Sequence, residues 1–336
     1  MEPMKTVIAN QPGGPSVMSL TDTEPLTPGP DDIVVDVHAC GVNYIDTYQR
    51  SGTYSVDFPF TPGLEGAGTV SAVGRAVSSA AVGDRVAWAF TPRSYAEQVI
   101  LNEHDLYAVP DDITLETAAA MMLQGLTAHF LSASTYPLAP GDTALVHAGA
   151  GGVGLLLTQL AVARGARVIT TVSNDVKAEQ SRAAGADAVI RYDTFSSIAD
   201  ELPAAVRDLT DGIGVNVVYD GVGAATFDGS LGSLAERGTL ALFGGASGQV
   251  PPVDLQRLNH GGSLFVTRPS MVHHLRTAEE RAWRANELFD AVRSGQLHVR
   301  IDGRYALADA PATHEALESR RTMGKTVLTV DGPNAR

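Results

Sequence analysis

Gly149, Gly151 and Gly154, within "VHAGAGGVGLLL", form a G-x-G-x-x-G pattern between two apolar runs. Residues without a β-carbon let the backbone approach a pyrophosphate, and N–H groups at a helix start meet it with partial positive charge. Glycine makes up 34 of the 336 residues, so the bare pattern carries little weight. Its context carries more. It follows a strand-like "TALVHA" and opens a helical stripe at Val153, Leu156, Leu157, Leu160 and Ala161. The charge-free run from Thr143 to Ala163 is also about as long as a bilayer-spanning helix. Tandem glycines in mid-segment, with Thr158 and Gln159 after them, weaken that alternative, and no second apolar span exists to pack against it. The stretch reads as a dinucleotide-binding turn.

The next strand addresses which dinucleotide. NAD sites place Asp or Glu at its end, near the ribose 2′-hydroxyl. Here "TVSND" puts Ser173 and Asn174 there, with Asp175 one step late and Lys177 close behind. A cation at that point attracts a 2′-phosphate and favours NADPH; the plain alternative is a solvated helix lysine.

These residues need a scaffold. From Thr143 onward, strands alternate with helices: "TALVHA", "RVITTV", "AVIRY", "VNVVYD", "TLALFG" and "SLFVTRP" are six strands. Gly165 and Gly185 stop the first two helices, and "AATFDGSLGSLAER" is a third. This pattern specifies an α/β, doubly wound parallel Rossmann sheet. Before about Gly125, "DIVVDVHACGV", "GAGTVSAVG", "GDRVAWAF" and "AEQVILNE" read as short strands of a β-rich domain. From about Met271, an amphipathic helix ("RAWRANELFDAVRSG") and a last strand ("GKTVLTV") return to that domain. "PDDI" at Pro30 and Pro110 is recurring turn chemistry with no longer repeat around it.

The composition of 44% hydrophobic and 18% charged residues suits a folded enzyme rather than a disordered chain. The formal net charge of -14 is spread along the chain and disfavours nucleic acid and anionic membrane as main partners. Cys40 is the sole cysteine, which excludes an intrachain disulfide and a multi-cysteine zinc site. The N-terminal "MEPMKTVIANQPGGP" lacks the apolar core of a signal peptide, so a cytoplasmic location is expected.

The motifs "NYIDTYQRSGTY", "GDRV", "QGLTAHF", "HAGAGGVG", "VVYDGVG", "LFVTRPS" and "LESRRTMG" occur in the order of a known family. The chain resembles the NADPH:quinone oxidoreductases, the zeta-crystallin-like, zinc-free branch of the medium-chain dehydrogenase/reductase superfamily. The resemblance implies a GroES-like β-barrel domain at 1–125 and 271–336. It implies a Rossmann NADPH-binding domain at 126–270, with cofactor in the cleft between the two. Lys177, Tyr192 and Arg320 then form the 2′-phosphate group, near Ser173. Gly149, Ala150, Gly151, Gly152 and Val153 line the pyrophosphate. Thr127, Gly221, Val222, Phe243, Gly244, Phe265 and Arg268 border the ribose and nicotinamide. Asn43 and Tyr48 flank the nicotinamide and substrate, and Tyr54 forms pocket wall. Without the resemblance, sheet core is the preferred reading for Phe243 and Phe265.

Zinc-dependent relatives carry a Cys ligand and a Gly-His-Glu where this chain has Asn43 and "PGLEG", with Leu64 in place of His. No metal is expected, and adjacent His273 and His274 read as a surface loop. Alcohol oxidation needs a Lewis acid, whereas hydride addition to an electron-poor quinone needs mainly positioning. Asn43 and Tyr48 are the expected partners of the acceptor oxygen. The nearest alternative is an NADPH-dependent alkenal or enone reductase. A second is a non-enzymatic NADPH-binding regulatory or RNA-binding protein. The β-branched, apolar segment 263–270 at a sheet edge, with the family's habit, implies a homodimer through that strand.

Overall fold

The computed structural model describes residues 2–330. The chain divides into two compact units. The first takes the chain up to Gln124, Ala285–Arg293, and the chain from Val299 onward; the second is Gly125–Arg284 with Ser294–His298.

The first unit is built on a seven-stranded sheet whose central strand is Asp32–Val42. Its run of Ile33, Val34, Val35 and Val37 is buried, as expected for a strand with neighbours on both edges and packing on both faces. Glu65–Val73, Gln98–Asn102 and Lys325–Thr329 all pair with it antiparallel. Its core gathers Trp88, Tyr95, Leu101 and Leu328 around these strands. Register has a chemical consequence here. Gly66 lies opposite Cys40 and Thr326 opposite Val42, so Glu65 and Lys325, each the first residue of its strand, converge on Asn43 just past the central strand's end.

The second unit holds a six-stranded, all-parallel sheet. Its strands are β1 (Thr143–Val146), β2 (Arg167–Val172), β3 (Ala188–Arg191), β4 (Val215–Asp220), β5 (Leu234–Leu242) and β6 (Phe265–Thr267). Their spatial order is β3-β2-β1-β4-β5-β6, the order of a dinucleotide-binding sheet. The crossovers carry α1 (Gly152–Ala163), α2 (Asp175–Ala183), α3 (Ile198–Asp208) and α4 (Phe227–Gly232). The direction of winding reverses between β1 and β4. The turns at their C-terminal ends, after Val146 and after Asp220, therefore share the crevice where such sheets take ligands.

The charge-free run from Thr143 to Ala163 is thus a strand, a turn and a helix. Among the described residues, no helix is long and apolar enough to cross a membrane.

Three expectations need correction. The helix read over 224–237 covers only Phe227–Gly232; β5 already begins at Leu234, and its register against β4 breaks before Thr239, with Arg237 at φ 59°. Gly229 and Gly232 let this short helix sit closely against α3, where added carbons would press on Ile198 and Pro203. The edge strand β6 has three residues rather than a long run. His273 and His274 belong to a short helix, Met271–His274, not a loop, and His274 stacks on Phe130 with ring centroids 4.5 Å apart. That stacking, together with Arg284 donating to His129 Nδ1, Ser134 Oγ and the His274 carbonyl, keeps 271–284 with the second unit.

Gly154 shows how tightly the turn fits the helix. A β-carbon there would press on the Ala148 carbonyl oxygen and lie 3.0 Å from Gly149 Cα. Alanine for glycine inside an open helix usually stabilises by roughly 0.5–1 kcal/mol. Gly154→Ala is expected instead to destabilise by about 1–3 kcal/mol. Gly151→Ala, whose added carbon meets Ala148 O at 3.1 Å, is expected to cost less. Urea unfolding of the two variants checks the ranking.

Candidate functional site

The turn between β1 and α1 is held by backbone hydrogen bonds, one of them to β2. Gly149 N donates to Thr171 O at 3.0 Å, Gly151 N to Ala148 O at 2.8 Å, and Leu155 N to Gly151 O at 2.9 Å. Gly149 is buried, and a β-carbon there would strike Thr170 and Ser181; Ala150 is also buried, whereas Gly151, Gly152 and Val153 are partly exposed. Gly151 is the N-cap of α1, no side chain caps it, and its first turn carries no acid. The first N–H groups of a helix have no partner within it. This start thus offers its amides and its positive dipole end to an anion, and the cradle fits a pyrophosphate.

At the end of β2, Asn174 caps α2 by accepting from Lys177 N at 2.9 Å. Lys177 Nζ donates to Ser173 Oγ at 3.5 Å, so the cation folds back over the strand end. Tyr192 opens a one-turn 3₁₀ segment directly after β3, the neighbour of β2. Arg191 escaped the sequence reading. It donates to Asp175 and Asp193, both at 2.6 Å, which neutralises the one acid close to this position. A basic residue between two aspartates in "DVKAEQSRAAGADAVIRYD" was the available signal. Arg320 lies in the first unit, as the left-handed residue (φ 56°) that ends helix Ala310–Glu318, and it bonds the Tyr44 hydroxyl.

The second turn, after β4, is organised by Asp220. Its Oδ1 accepts from Val222 N at 2.8 Å and Gly223 N at 3.1 Å. Gly221 and Gly244 pass so closely that a β-carbon on Gly244 would lie 2.8 Å from Gly221 Cα, and one on Gly221 would lie 2.8 Å from the Phe243 ring. Phe243 is half-buried, but Phe265 is 60% exposed on the edge strand, so the core reading fails for it. Arg268 donates to Leu242 O at 3.0 Å, and Thr127 is buried in the Leu115–Phe130 helix.

In the first unit the sequence residues meet a cluster that was not foreseen. Lys325 Nζ donates to Glu65 Oε2 at 2.5 Å and to Asn43 Oδ1 at 2.8 Å. Asn43 Nδ2 donates to Glu65 Oε2 at 2.7 Å and to Gly41 O at 3.3 Å, and Gln124 Nε2 donates to Asn43 Oδ1 at 3.3 Å. Glu65 and Lys325 are both at most 1% exposed, and Glu65 also accepts from Leu123 N. Both amide hydrogens of Asn43 are committed, so it holds the cluster together rather than reaching for an acceptor oxygen. A charged residue at the head of an otherwise uncharged strand, "KTVLT", was the signal for a buried partner.

The helix Tyr44–Ser51 starts on a capping box between Asn43 and Asp46. It presents Tyr48 5.8 Å from Tyr44 and 5.2 Å from Tyr54, ring to ring, which forms one aromatic ledge. Below it, Tyr95 donates to Asp46 at 2.9 Å and contacts His314 at 3.3 Å, and Arg50 joins His314 to Glu318. Burial pushes the Asp46 carboxyl up to about 7 and the His314 imidazole down to about 3. The Cys40 thiol is pushed up by burial and donates to Ser94 O. These donors do not suit a zinc ion. The carboxylate is bound to an ammonium, the thiol is held neutral, and among the described residues no three His, Cys, Asp or Glu converge.

A family model described as an alcohol dehydrogenase GroES-like domain matches 29–111, and one described as a zinc-binding dehydrogenase matches 152–289. The chain is 45% identical over 318 residues to a quinone oxidoreductase of Pseudomonas aeruginosa, spanning 94% of this chain and 96% of that one. It is 36% identical over 329 residues to a 2-haloacrylate reductase of Burkholderia sp., spanning 96% and 97%. A mycobacterial protein solved in complex with NADPH superposes with a TM-score of 0.93 at 52% identity, covering 97% and 99%. The fold and site define a medium-chain dehydrogenase/reductase. Within that class, the chain belongs to the quinone oxidoreductase family.

The ion pair makes a direct prediction. Lys325→Met strands the Glu65 charge in the interior and is expected to destabilise the fold by about 3–5 kcal/mol. A second change, Glu65→Gln, removes that charge and is expected to recover most of the loss. Chemical denaturation of the single and double variants measures both; an unaffected single variant contradicts the pairing.

Proposed function

We propose that this protein is an NADPH-dependent quinone reductase that works without a bound metal. The observation that carries the reading is the uncapped, acid-free start of α1, followed at the end of β2 by Ser173 and Lys177 in place of a ribose-binding carboxylate. The identities to a quinone oxidoreductase and to an NADPH-complexed protein support it. When bound, NADPH supplies the hydride. Gly149–Val153 hold the pyrophosphate, and Lys177, Tyr192 and Arg320 hold the 2′-phosphate. Thr127, Gly221, Val222, Phe243, Gly244, Phe265 and Arg268 border the ribose and nicotinamide. The Tyr48–Tyr54 ledge offers a flat acceptor two aromatic rings, and the Tyr48 hydroxyl donates to its oxygen. Asn43, fixed by Glu65 and Lys325, sets the start of the helix that carries Tyr48. The product is a hydroquinone: hydride addition leaves an aromatic anion that needs no Lewis acid and takes one proton from solvent.

A second reading, reduction of an activated carbon–carbon double bond, is favoured by the 2-haloacrylate reductase among the relatives. Steady-state rates with 1,4-benzoquinone, a short enone and 2-chloroacrylate, each with NADPH and NADH, separate the two. We expect quinone to dominate; an enone or haloacrylate preference contradicts the first reading. Lys177→Ala should raise the KM for NADPH about tenfold and leave that for NADH unchanged. Tyr48→Phe should lower kcat/KM for quinone about tenfold. Equal loss with both cofactors, or an unaltered Tyr48→Phe, removes those assignments.

We further propose a cytoplasmic homodimer paired through β6. That strand lies at the sheet edge with Phe265 60% and Val266 39% exposed, and a chain with one buried cysteine suits a reducing compartment. Light scattering at micromolar concentration should give twice the chain mass; a monomer contradicts it.

A further inference from the structure

Beneath the two turns at the reversal of the sheet, a buried polar chain runs from the strand that receives the first turn to the carboxylate that organises the second. Thr171 Oγ1 lies 2.9 Å from His147 Nδ1, and His147 Nε2 lies 2.9 Å from Ser230 Oγ. Ser230 Oγ donates to Asp220 Oδ2 at 2.7 Å. Asp220 also accepts from Thr226 Oγ1, Val222 N and Gly223 N, so four donors meet its charge. Thr171, His147, Ser230, Asp220 and Thr226 are each at most 3% exposed.

The proton directions are forced from one end. Ser230 gives its only hydrogen to the carboxylate, so it must accept from His147 Nε2–H. Nδ1 is then an acceptor, and the Thr171 hydroxyl donates to it. Burial lowers the His147 pKa, which agrees with a neutral ring carrying one hydrogen. The two ends of the chain are the two turns. Thr171 also receives Gly149 N at its carbonyl, and Asp220 holds the amides of Val222 and Gly223.

We propose that His147 and Ser230 are positioning residues that lock the 147–151 turn to the 221–223 turn, so that both sets of amides are preset for one dinucleotide. This rests on the cofactor reading given above. Apolar side chains would fill the same space without burying a charge, so packing alone does not account for the residue types. A satisfied buried network holds a single geometry, and the groups it fixes are the ones a dinucleotide crosses.

The test measures two things on each variant: NADPH affinity by fluorescence titration, and backbone hydrogen exchange of the ligand-free protein by mass spectrometry. Ser230→Ala and Thr171→Val each cut the chain at one link, and Thr171→Ser keeps the hydroxyl. Ser233→Ala is the control; Ser233 is equally buried near the end of α4 and donates only to Gly229 O at 2.7 Å. We expect both cutting variants to raise the NADPH Kd about tenfold, with kcat at saturation within about twofold of wild type. Exchange should quicken in both turns at once, including the turn remote from the substitution. Thr171→Ser should restore wild-type behaviour, and Ser233→Ala should lower the melting temperature with no change in Kd. If Ser230→Ala does not fold, the shape-conserving Thr171→Val decides. The inference is overturned if the cutting variants behave like Ser233→Ala, or if exchange quickens in one turn only. Should wild-type protein fail to bind NADPH, the functional reading falls, and the exchange measurement still decides whether the turns are linked.

Discussion

A helix start can hold a ligand's anion only while no side chain of its own has claimed the amides. In this chain Gly151 takes the N-cap without a capping side chain, and no acid enters the first turn of α1. Most helix starts gain about 1 kcal/mol from a Ser, Thr, Asp or Asn cap. Forgoing it leaves a local deficit that an anion bound at this start would offset. Much of the second unit serves that arrangement. Gly149 and Gly154 let the turn press against β2 and α1, and the parallel sheet places the second turn, after Asp220, beside it.

The first unit solves a different electrostatic problem. Metal-assisted alcohol oxidation requires a cation beside the reacting oxygen. This chain has a buried ammonium instead, and that ammonium is spent on Glu65 and Asn43. A lysine bound to a carboxylate cannot polarise an alcohol as a metal does. It can fix Asn43, whose backbone opens the capping box of the helix bearing Tyr44 and Tyr48. The cluster therefore shapes an aromatic surface rather than supplying a Lewis acid. Chemistry that needs little more than a flat, well-placed acceptor is what such a surface supports.

What could be read in advance follows from the range of each signal. The glycine spacing, the six strands and the helix stops at Gly165 and Gly185 are local patterns, and the fold follows them. The cation beside the end of β2 was legible because Lys177 lies four residues from Ser173. The Glu65–Lys325 pair that fixes Asn43 was not, since only strand register joins positions 260 residues apart. The same holds for His147 and Ser230, which are 83 residues apart and buried within patterns that read as ordinary strand and helix. Helix α4 was overestimated because small residues look helix-compatible by period, while Gly229 and Gly232 mark close packing. The edge strand was overestimated because its apolar residues are exposed at the rim, where no core shortens or lengthens a strand.

One recognition event underlies the chemistry: this protein holds a dinucleotide that bears a 2′-phosphate. Calorimetric titration of the ligand-free protein with NADPH and with NADH tests it most directly. One NADPH per chain, bound at least about tenfold more tightly than NADH, is the predicted result. Equal affinity for the two, or no binding of either, contradicts it.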